Sequence, residues 1–255
     1  MKKNVLSTYD EKSALYYYDF AKMAYKCPEI CENIALRGRA IDGSVKLGYF
    51  SSTPNDAQYY TFVGDDKNLI FAFRGSSSLN DFMVDANIFK TNVPRFGSEV
   101  YVHKGFFSQF VEFEQEIKSR VSYYVKNTLF DSPIKVTCIG HSLGGALASL
   151  TSLAVKKMFG DRVHVTCSTF GSPRVGNHAF SVEFNDAVDK SYRYVNENDI
   201  VAFMPKLLYY HVKGEVRLGN PYEDSWVVKM FGSVKDHYLD SYKDSISFYV
   251  RSSKS

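Results

Sequence analysis

The sequence predicts an α/β fold built on a largely parallel sheet, and three observations carry that prediction. Apolar β-like runs alternate with helical periodicities through the middle and end of the chain, as strand–helix–strand units do. A glycine-flanked serine stands where one of those runs turns into a helix. The 255 residues are 45% hydrophobic and 23% charged, with only 16 Gly and 7 Pro, a composition that excludes disordered, collagen-like and low-complexity classes. No internal repeat or linker-like stretch divides the chain, so a single domain over residues 1–255 is expected.

The elements follow in order. Thr8 and Glu11 match a capping box, and Ala14, Leu15, Tyr18, Ala21 and Tyr25 follow at helical spacing. β-like runs come next at Val45–Phe50, Gln58–Val63 and Leu69–Phe73, the last two joined by Gly64-Asp65-Asp66-Lys67-Asn68, which reads as a hairpin turn. Val100–His103 adds a short run. Phe106 to Leu129 is a long amphipathic helix with Phe106, Phe110, Phe113, Ile117, Val121 and Tyr124 on one stripe. Strands at Ile134–Ile139, Val163–Phe170, Tyr192–Asn196 and Val212–Leu218 then alternate with helices at Leu143–Met158 and His178–Val188, and a helix over Tyr238–Val250 closes the chain.

Charge and cysteine usage narrow the function classes. A net charge of +3, from 31 Lys+Arg against 28 Asp+Glu, is too even for a nucleic-acid surface, and Lys156-Lys157 is only a pair. The longest mostly apolar stretch, Leu143 to Val155, is broken by Gly, Ser and Thr and falls far short of the ~20 apolar residues of a membrane span. Lys2-Lys3 could open a signal peptide, but Asn4 to Lys12 holds no apolar core. This reading favours a cytoplasmic location, with a secreted mature form as the alternative. Cys27 and Cys31 lack the second Cys or His pair of a zinc site, and Cys138 and Cys167 lie in apolar runs where buried thiols are common; whether any of the four forms a disulfide stays open.

The most informative residues are Ile139-Gly140-His141-Ser142-Leu143-Gly144-Gly145-Ala146, a G-x-S-x-G motif between a β run and a helix-forming run. A strand that turns sharply into a helix holds the residue at the corner in a strained backbone conformation and projects its hydroxyl above the sheet edge. Glycines on both sides leave the space that neighbouring elements need. The helix start also offers unpaired N–H groups where an oxyanion forms when a serine attacks a carbonyl, so the Leu143 N–H is a candidate oxyanion donor.

A serine hydroxyl needs a base, and the base needs an acid to fix its tautomer. On this strand–turn–helix scaffold the chain order is Ser, Asp/Glu, His. Asp199 follows an apolar strand after a short polar turn, with Glu197 as its local competitor. His211 lies in what looks like a strand entry, and His237 in the polar connection Val234-Lys235-Asp236-His237-Tyr238. A loop histidine reaches across a sheet edge more readily than one within a strand, so position favours His237. His103 precedes the serine, His164 is inside a strand, His178 opens a helix ahead of the acid, and His141 sits in the corner itself and points elsewhere. A second oxyanion donor is expected after Leu69–Phe73, where Gly75 admits a close backbone approach and Ser76 offers both an N–H and a hydroxyl; a solvated serine-rich loop is the plainer reading.

Together, Phe73-Arg74-Gly75-Ser76, Val102-His103-Lys104-Gly105-Phe106, Gly140 to Ala146, Phe170-Gly171-Ser172-Pro173-Arg174-Val175-Gly176-Asn177, Val195-Asn196-Glu197-Asn198-Asp199-Ile200-Val201 and Asp236-His237 resemble the class 3, or filamentous-fungal-type, triacylglycerol lipase family. The resemblance runs from about Gln58 to Tyr242. It implies an α/β-hydrolase fold with Ser142 as nucleophile, Asp199 as acid, His237 as base, and Ser76 and Leu143 as oxyanion donors. The Asp199–His237 segment looks shorter than in the secreted fungal enzymes, and the cysteines do not reproduce their disulfide pattern. Leu79, Phe82, Met83 and Ala86 make one apolar helical face, as an ordinary buried helix would, with Asn80, Asp81 and Asp85 opposite. Beside Ser76, the resemblance implies that residues 77–90 form a lid that covers an apolar groove in water and opens at a lipid surface. The implied function is a serine carboxylester hydrolase acting on acylglycerols through an acyl-enzyme. A phospholipase A1 or feruloyl-type esterase on the same scaffold, and a non-catalytic lipid-binding protein, are the alternatives. No metal or organic cofactor is implied; the partners are a lipid or other ester and, through the lid, a lipid interface, with no nucleic acid.

Overall fold

The alternating runs become one mixed sheet with helices on both faces. The computed structural model describes residues 8–26, 45–53, 57–64, 68–75, 89–127, 132–219 and 234–253. Helix α1 (Thr8–Met23) leads into the antiparallel strands β1 (Val45–Ser52), β2 (Gln58–Gly64) and β3 (Leu69–Phe73). The Gly64 N–H donates to the Asn68 carbonyl at 2.8 Å, which closes the predicted hairpin. Strands β4 (Lys90–Asn92) and β5 (Tyr101–His103) pair with each other. Helix α2 (Lys104–Asn127) follows, then β6 (Ile134–His141), α3 (Leu143–Phe159), β7 (Val163–Phe170), α4 (His178–Ala187), β8 (Lys190–Asn196), β9 (Glu215–Leu218) and α5 (Leu239–Ser253). Among the described residues the main sheet runs β1-β2-β3-β6-β7-β8-β9, with every pairing from β3 onward parallel.

A parallel sheet covered on both faces needs strands that are apolar throughout, and β3 is buried at all of its positions. Alternate residues feed different cores. Phe71, Phe73, Val136 and Cys138 pack with the predicted α2 stripe (Phe106, Phe110, Phe113, Ile117, Val121) and with α3. Ile70, Ala72, Ile139, Phe170 and Tyr194 pack with Ala14, Tyr18 and Ala21 of α1 and with Tyr242 and Ile246 of α5. The helices place the carboxyl ends of β3, β6, β7 and β8 at one rim, where chemistry gathers in parallel α/β sheets.

Three expectations shift. The short run at Val100–His103 becomes β5, which pairs with β4 outside the main sheet. The last strand begins at Glu215 instead of Val212, because Gly214 lies at φ 87° with its backbone against Ser191: a Cβ there would sit 2.0 Å from the Ser191 carbonyl oxygen. Tyr25 lies just beyond the end of α1. Cys138 and Cys167 are free and buried, facing each other across β6 and β7. Cys27, Cys31, Ser76 and the candidate lid residues Leu79, Phe82, Met83 and Ala86 lie outside the described residues. No helix among the described residues is long and apolar enough to cross a membrane.

Candidate active site

The corner between β6 and α3 has the predicted strain. Ser142 holds φ 58°, ψ −127°, a region that side-chain-bearing residues rarely adopt. Its N–H donates to the Phe170 carbonyl at 2.9 Å, tying the corner to the end of β7. The flanking glycines are sterically required. A Cβ on Gly140 would lie 2.1 Å from the Gly144 carbonyl oxygen, and one on Gly144 would lie 2.3 Å from that of Phe73. Leu143 is the first residue of α3, so its N–H is one of those the helix itself cannot satisfy. The chain after β3 arrives beside it: an idealised Cβ on Gly75 would sit 3.3 Å from the Ser142 Cβ.

The acid and base converge on this corner from two later segments. Asp199 is fully buried in the turn after β8, while its competitor Glu197 is exposed. His237, also fully buried, ends a single 3-10 turn, Lys235–His237, just before α5. Its Nδ1 lies 2.9 Å from both Asp199 carboxylate oxygens. The carboxylate has further donors: the Val201 and Ala202 N–H groups reach Oδ1 at 2.9 and 3.3 Å, and the Tyr242 hydroxyl reaches Oδ2 at 2.5 Å. A carboxylate that accepts this many bonds is held in one orientation, and its contact with Nδ1 places a proton on that nitrogen and leaves Nε2 with a free lone pair. Gly171, at φ 56°, makes the convergence possible, since a Cβ there would sit 2.6 Å from Asp199 Oδ2 and 2.9 Å from His237 Nδ1. The Gly171–Asn177 run thus owes its first residue to packing against the acid–base pair.

On the other side of the ring the situation reverses. Ser142 Oγ and His237 Nε2 are both buried, and neither has a hydrogen-bond partner among the described residues, so they are not bonded to each other. The base reaches the corner at the residue before the serine: the rings of His141 and His237 lie 4.7 Å apart. His141 does not serve the serine. One of its nitrogens, Nε2, lies 2.6 Å from the His237 carbonyl oxygen, and Nδ1 lies 2.8 Å from the Tyr25 hydroxyl. A carbonyl only accepts, so Nε2 carries the proton and Tyr25 donates to Nδ1. Burial and the neighbouring His237 push the His141 pKa down to about 3, which keeps this ring neutral. Tyr25 in turn bonds the Gly75 backbone. A chain of hydrogen bonds therefore runs from the loop after β3, through Tyr25 and His141, to the backbone of the base.

The remaining histidines stay outside this arrangement. His211 bonds the Ala202 carbonyl through Nε2 at 2.6 Å, and burial drives its pKa down to about 3. His164 sits on β7 with Nδ1 3.6 Å from Asp189, His178 packs against Tyr210, and His103 is buried against Phe106. Tyr242 and Tyr25 escaped the reading of the sequence because each looks like a core aromatic at helical spacing; nothing in that pattern reports a hydroxyl bonded to a residue far along the chain. No group of three His, Cys, Asp or Glu suited to a metal ion exists among the described residues.

A strained serine corner on the central strand of a parallel sheet, followed in order by an acid and a histidine from the rim, defines an α/β hydrolase. The family described as lipase (class 3) matches residues 70–209, and the chain belongs to that family. It is 28% identical over 201 residues to the secreted mono- and diacylglycerol lipase A of Penicillium cyclopium, covering 76% of this chain and 60% of the relative. It is also 28% identical over 151 residues to the chloroplastic phospholipase A(1) DAD1 of Arabidopsis thaliana, covering 54% of this chain and 34% of the relative. The matched segment therefore spans only a third to three-fifths of these relatives' length. Among solved structures, the triacylglyceride lipase of Rhizomucor miehei superposes with a TM-score of 0.74 at 25% identity, covering 92% of this chain and 96% of that one.

Proposed function

We propose that this chain is a serine carboxylester hydrolase acting on acylglycerol esters. The observation that carries the proposal is the pair of orphaned atoms, Ser142 Oγ and His237 Nε2, buried at one rim beside an Asp199 that has already fixed the imidazole tautomer. A buried polar atom without a partner is costly, and an ester bound at this corner would supply what each lacks. In this reading Ser142 Oγ attacks the ester carbonyl carbon while Nε2 takes its proton. The imidazolium, steadied by Asp199, returns that proton to the departing alcohol, and water activated by the same nitrogen cleaves the acyl-enzyme. In this proposal the Leu143 N–H and Ser76 hold the oxyanion, and the lid expected over residues 77–90 has to stop short of Lys90, which begins β4. Relatives named as mono- and diacylglycerol lipases support an acylglycerol substrate. Others named as phospholipases A1 favour a second reading, hydrolysis of a phospholipid acyl ester at the same centre. The names of relatives divide on location too, some secreted and some chloroplastic.

The test is labelling with a fluorophosphonate probe, followed by a panel of p-nitrophenyl esters, triacylglycerol emulsion, phospholipid and a feruloyl ester. Ser142 is expected to carry the label, and Ser142→Ala is expected to lose both the label and about 10⁶-fold in kcat on every ester cleaved. An unlabelled, inactive parent chain would leave the non-catalytic lipid-binding reading standing. Faster hydrolysis of phospholipid than of acylglycerol would select the second reading.

A further inference from the structure

Beyond the acid turn, the chain displays an apolar tip that the chemistry above does not use. Leu207 and Leu208 are 69% and 64% exposed, and Leu208 holds φ 61°, a backbone region unfavourable for leucine. The loop is firmly held. The Arg174 N–H donates to the Met204 carbonyl at 2.8 Å, and its guanidinium donates to the carbonyls of Phe203 and Pro205. Lys90 Nζ donates to the Leu208 carbonyl at 2.7 Å, and the Tyr210 N–H donates to Gly176 at 2.8 Å. Phe89, next to that lysine, is 65% exposed. Single exposed leucines are ordinary, but a pinned pair, one of them in strained backbone, beside an exposed phenylalanine marks an interaction surface.

Charge identifies the occupant. Four segments meet here: 89–92, 101–105, 173–178 and 200–213. They are joined by the β4–β5 pairing, by His103 N–H to Val175, and by the bonds from Arg174, Lys90 and Tyr210. Together they carry Lys90, Lys104, Arg174, Lys206 and Lys213 and contain no Asp or Glu. An apolar tip on segments whose charged residues are all cationic, with the Lys90 ammonium against the Leu208 carbonyl, complements a layer whose interior is acyl chain and whose surface is phosphate.

We infer that this loop is a fixed anchor for an anionic phospholipid surface, with Leu207 and Leu208 entering the acyl layer and Lys90, Lys104 and Lys206 meeting the phosphates. The choice of occupant rests on the ester-hydrolase reading. Because the same segment begins at Val201 and Ala202, whose N–H groups hold Asp199, docking orients the catalytic rim toward the surface that supplies substrate.

Co-sedimentation with phosphatidylcholine vesicles, with and without phosphatidylglycerol, tests the inference on the Ser142→Ala chain, which cannot consume the lipid by the proposed route. Binding is expected to need phosphatidylglycerol. The double change Leu207→Ser, Leu208→Asn should weaken it on the order of a hundredfold, since each leucine side chain withdrawn from the acyl layer accounts for about tenfold or more. Asparagine accepts the left-handed conformation, so this variant should melt no lower than its parent. Lys206→Glu should cost about fivefold or more and flatten the dependence on phosphatidylglycerol. Equal binding by the double variant, or equal binding to both vesicle types, overturns the anchor. So does a leucine-dependent dimer without vesicle binding, which would assign the tip to a second copy of the chain. Fluorophosphonate labelling of the wild-type serine reports separately: a chain that binds vesicles but takes no label keeps the anchor and loses the hydrolase reading.

Discussion

The two sides of the His237 ring are built in opposite ways. On the acid side each oxygen of Asp199 has at least two donors, from His237, Tyr242, Val201 and Ala202, and the whole group is sealed from water. On the nucleophile side, Nε2 and the Ser142 hydroxyl are also buried and have no partner among the described residues. The difference teaches where the fold has committed itself. Orientation of the base is settled by the folded chain alone, whereas the contact that transfers the proton is left to form when a substrate arrives, as catalytic hydrogen bonds in unliganded enzymes commonly are.

The sharpest way to break this asymmetry is to disorder the acid side while leaving the nucleophile untouched. Asp199→Asn keeps the shape but presents an amide where a carboxylate accepted every bond. At least one N–H must then face the Val201 and Ala202 amides, the Tyr242 hydroxyl or Nδ1 itself, and the histidine is driven toward the tautomer with Nε2 protonated. A loss of about 10⁴ in kcat on a soluble p-nitrophenyl ester is expected, with fluorophosphonate labelling slowed in parallel. A loss below about tenfold would mean that Asp199 does not hold the base.

A finer cut removes only the support. Tyr242→Phe deletes one charge-assisted donor to Asp199 Oδ2 and the acceptor for the Asn196 N–H at 3.2 Å, leaving the ring in its pocket. Hydrogen bonds to charged groups contribute roughly 1.5–3 kcal/mol, so kcat should fall by about tenfold with KM unchanged, and Tm by several degrees. If Tyr242 were merely a core aromatic, stability would drop while kcat held, because the acid would keep its other donors. That outcome would remove Tyr242 from the positioning network.

What could be read from the sequence divides along the same line. The corner was legible because its chemistry is local: Gly140, Ser142 and Gly144 lie within five residues, and the strain they relieve belongs to one turn. The strands and helices of the parallel half were legible because burial on both faces leaves an unbroken apolar run at Leu69–Phe73 and a mostly buried run of small and apolar residues at 165–170. Asp199 and His237 could be ranked by position but not joined, since their contact spans 38 residues. Tyr242 and Tyr25 were invisible. Their ring atoms obey the helix period, while their hydroxyls answer to partners 43 and 116 residues away. β4 was missed for a related reason: Lys90-Thr91-Asn92 has no apolar face and exists as a strand only because β5 lies beside it. His141 was read as pointing away from the reaction. It does turn from the serine, yet it bonds the backbone of the base, a role that only the folded chain discloses.

The smallest effect at neutral pH concerns that histidine. His141 links the two sides, since it is joined to the serine by a peptide bond and to the base by a hydrogen bond. Its pKa in the folded chain, about 3, lies below the ordinary 6.5, because burial and the adjacent His237 disfavour the cation. Between these values the unfolded chain binds a proton that the folded chain refuses. Stability from this group is therefore complete above pH 6.5 and is lost as the pH falls toward 3, with a slope of up to about 1.4 kcal/mol per pH unit. The burial of His211 acts in the same direction. Urea unfolding measured at successive pH values should show midpoints falling across this window in the parent. His141→Gln should start from a lower stability, having lost its fit to Tyr25 and to the His237 carbonyl, but decline less steeply. Parallel decline in the two chains would show that His141 is not kept neutral, and the relay from Gly75 to His237 would then have to run through a charged ring, which cannot accept the Tyr25 proton at Nδ1.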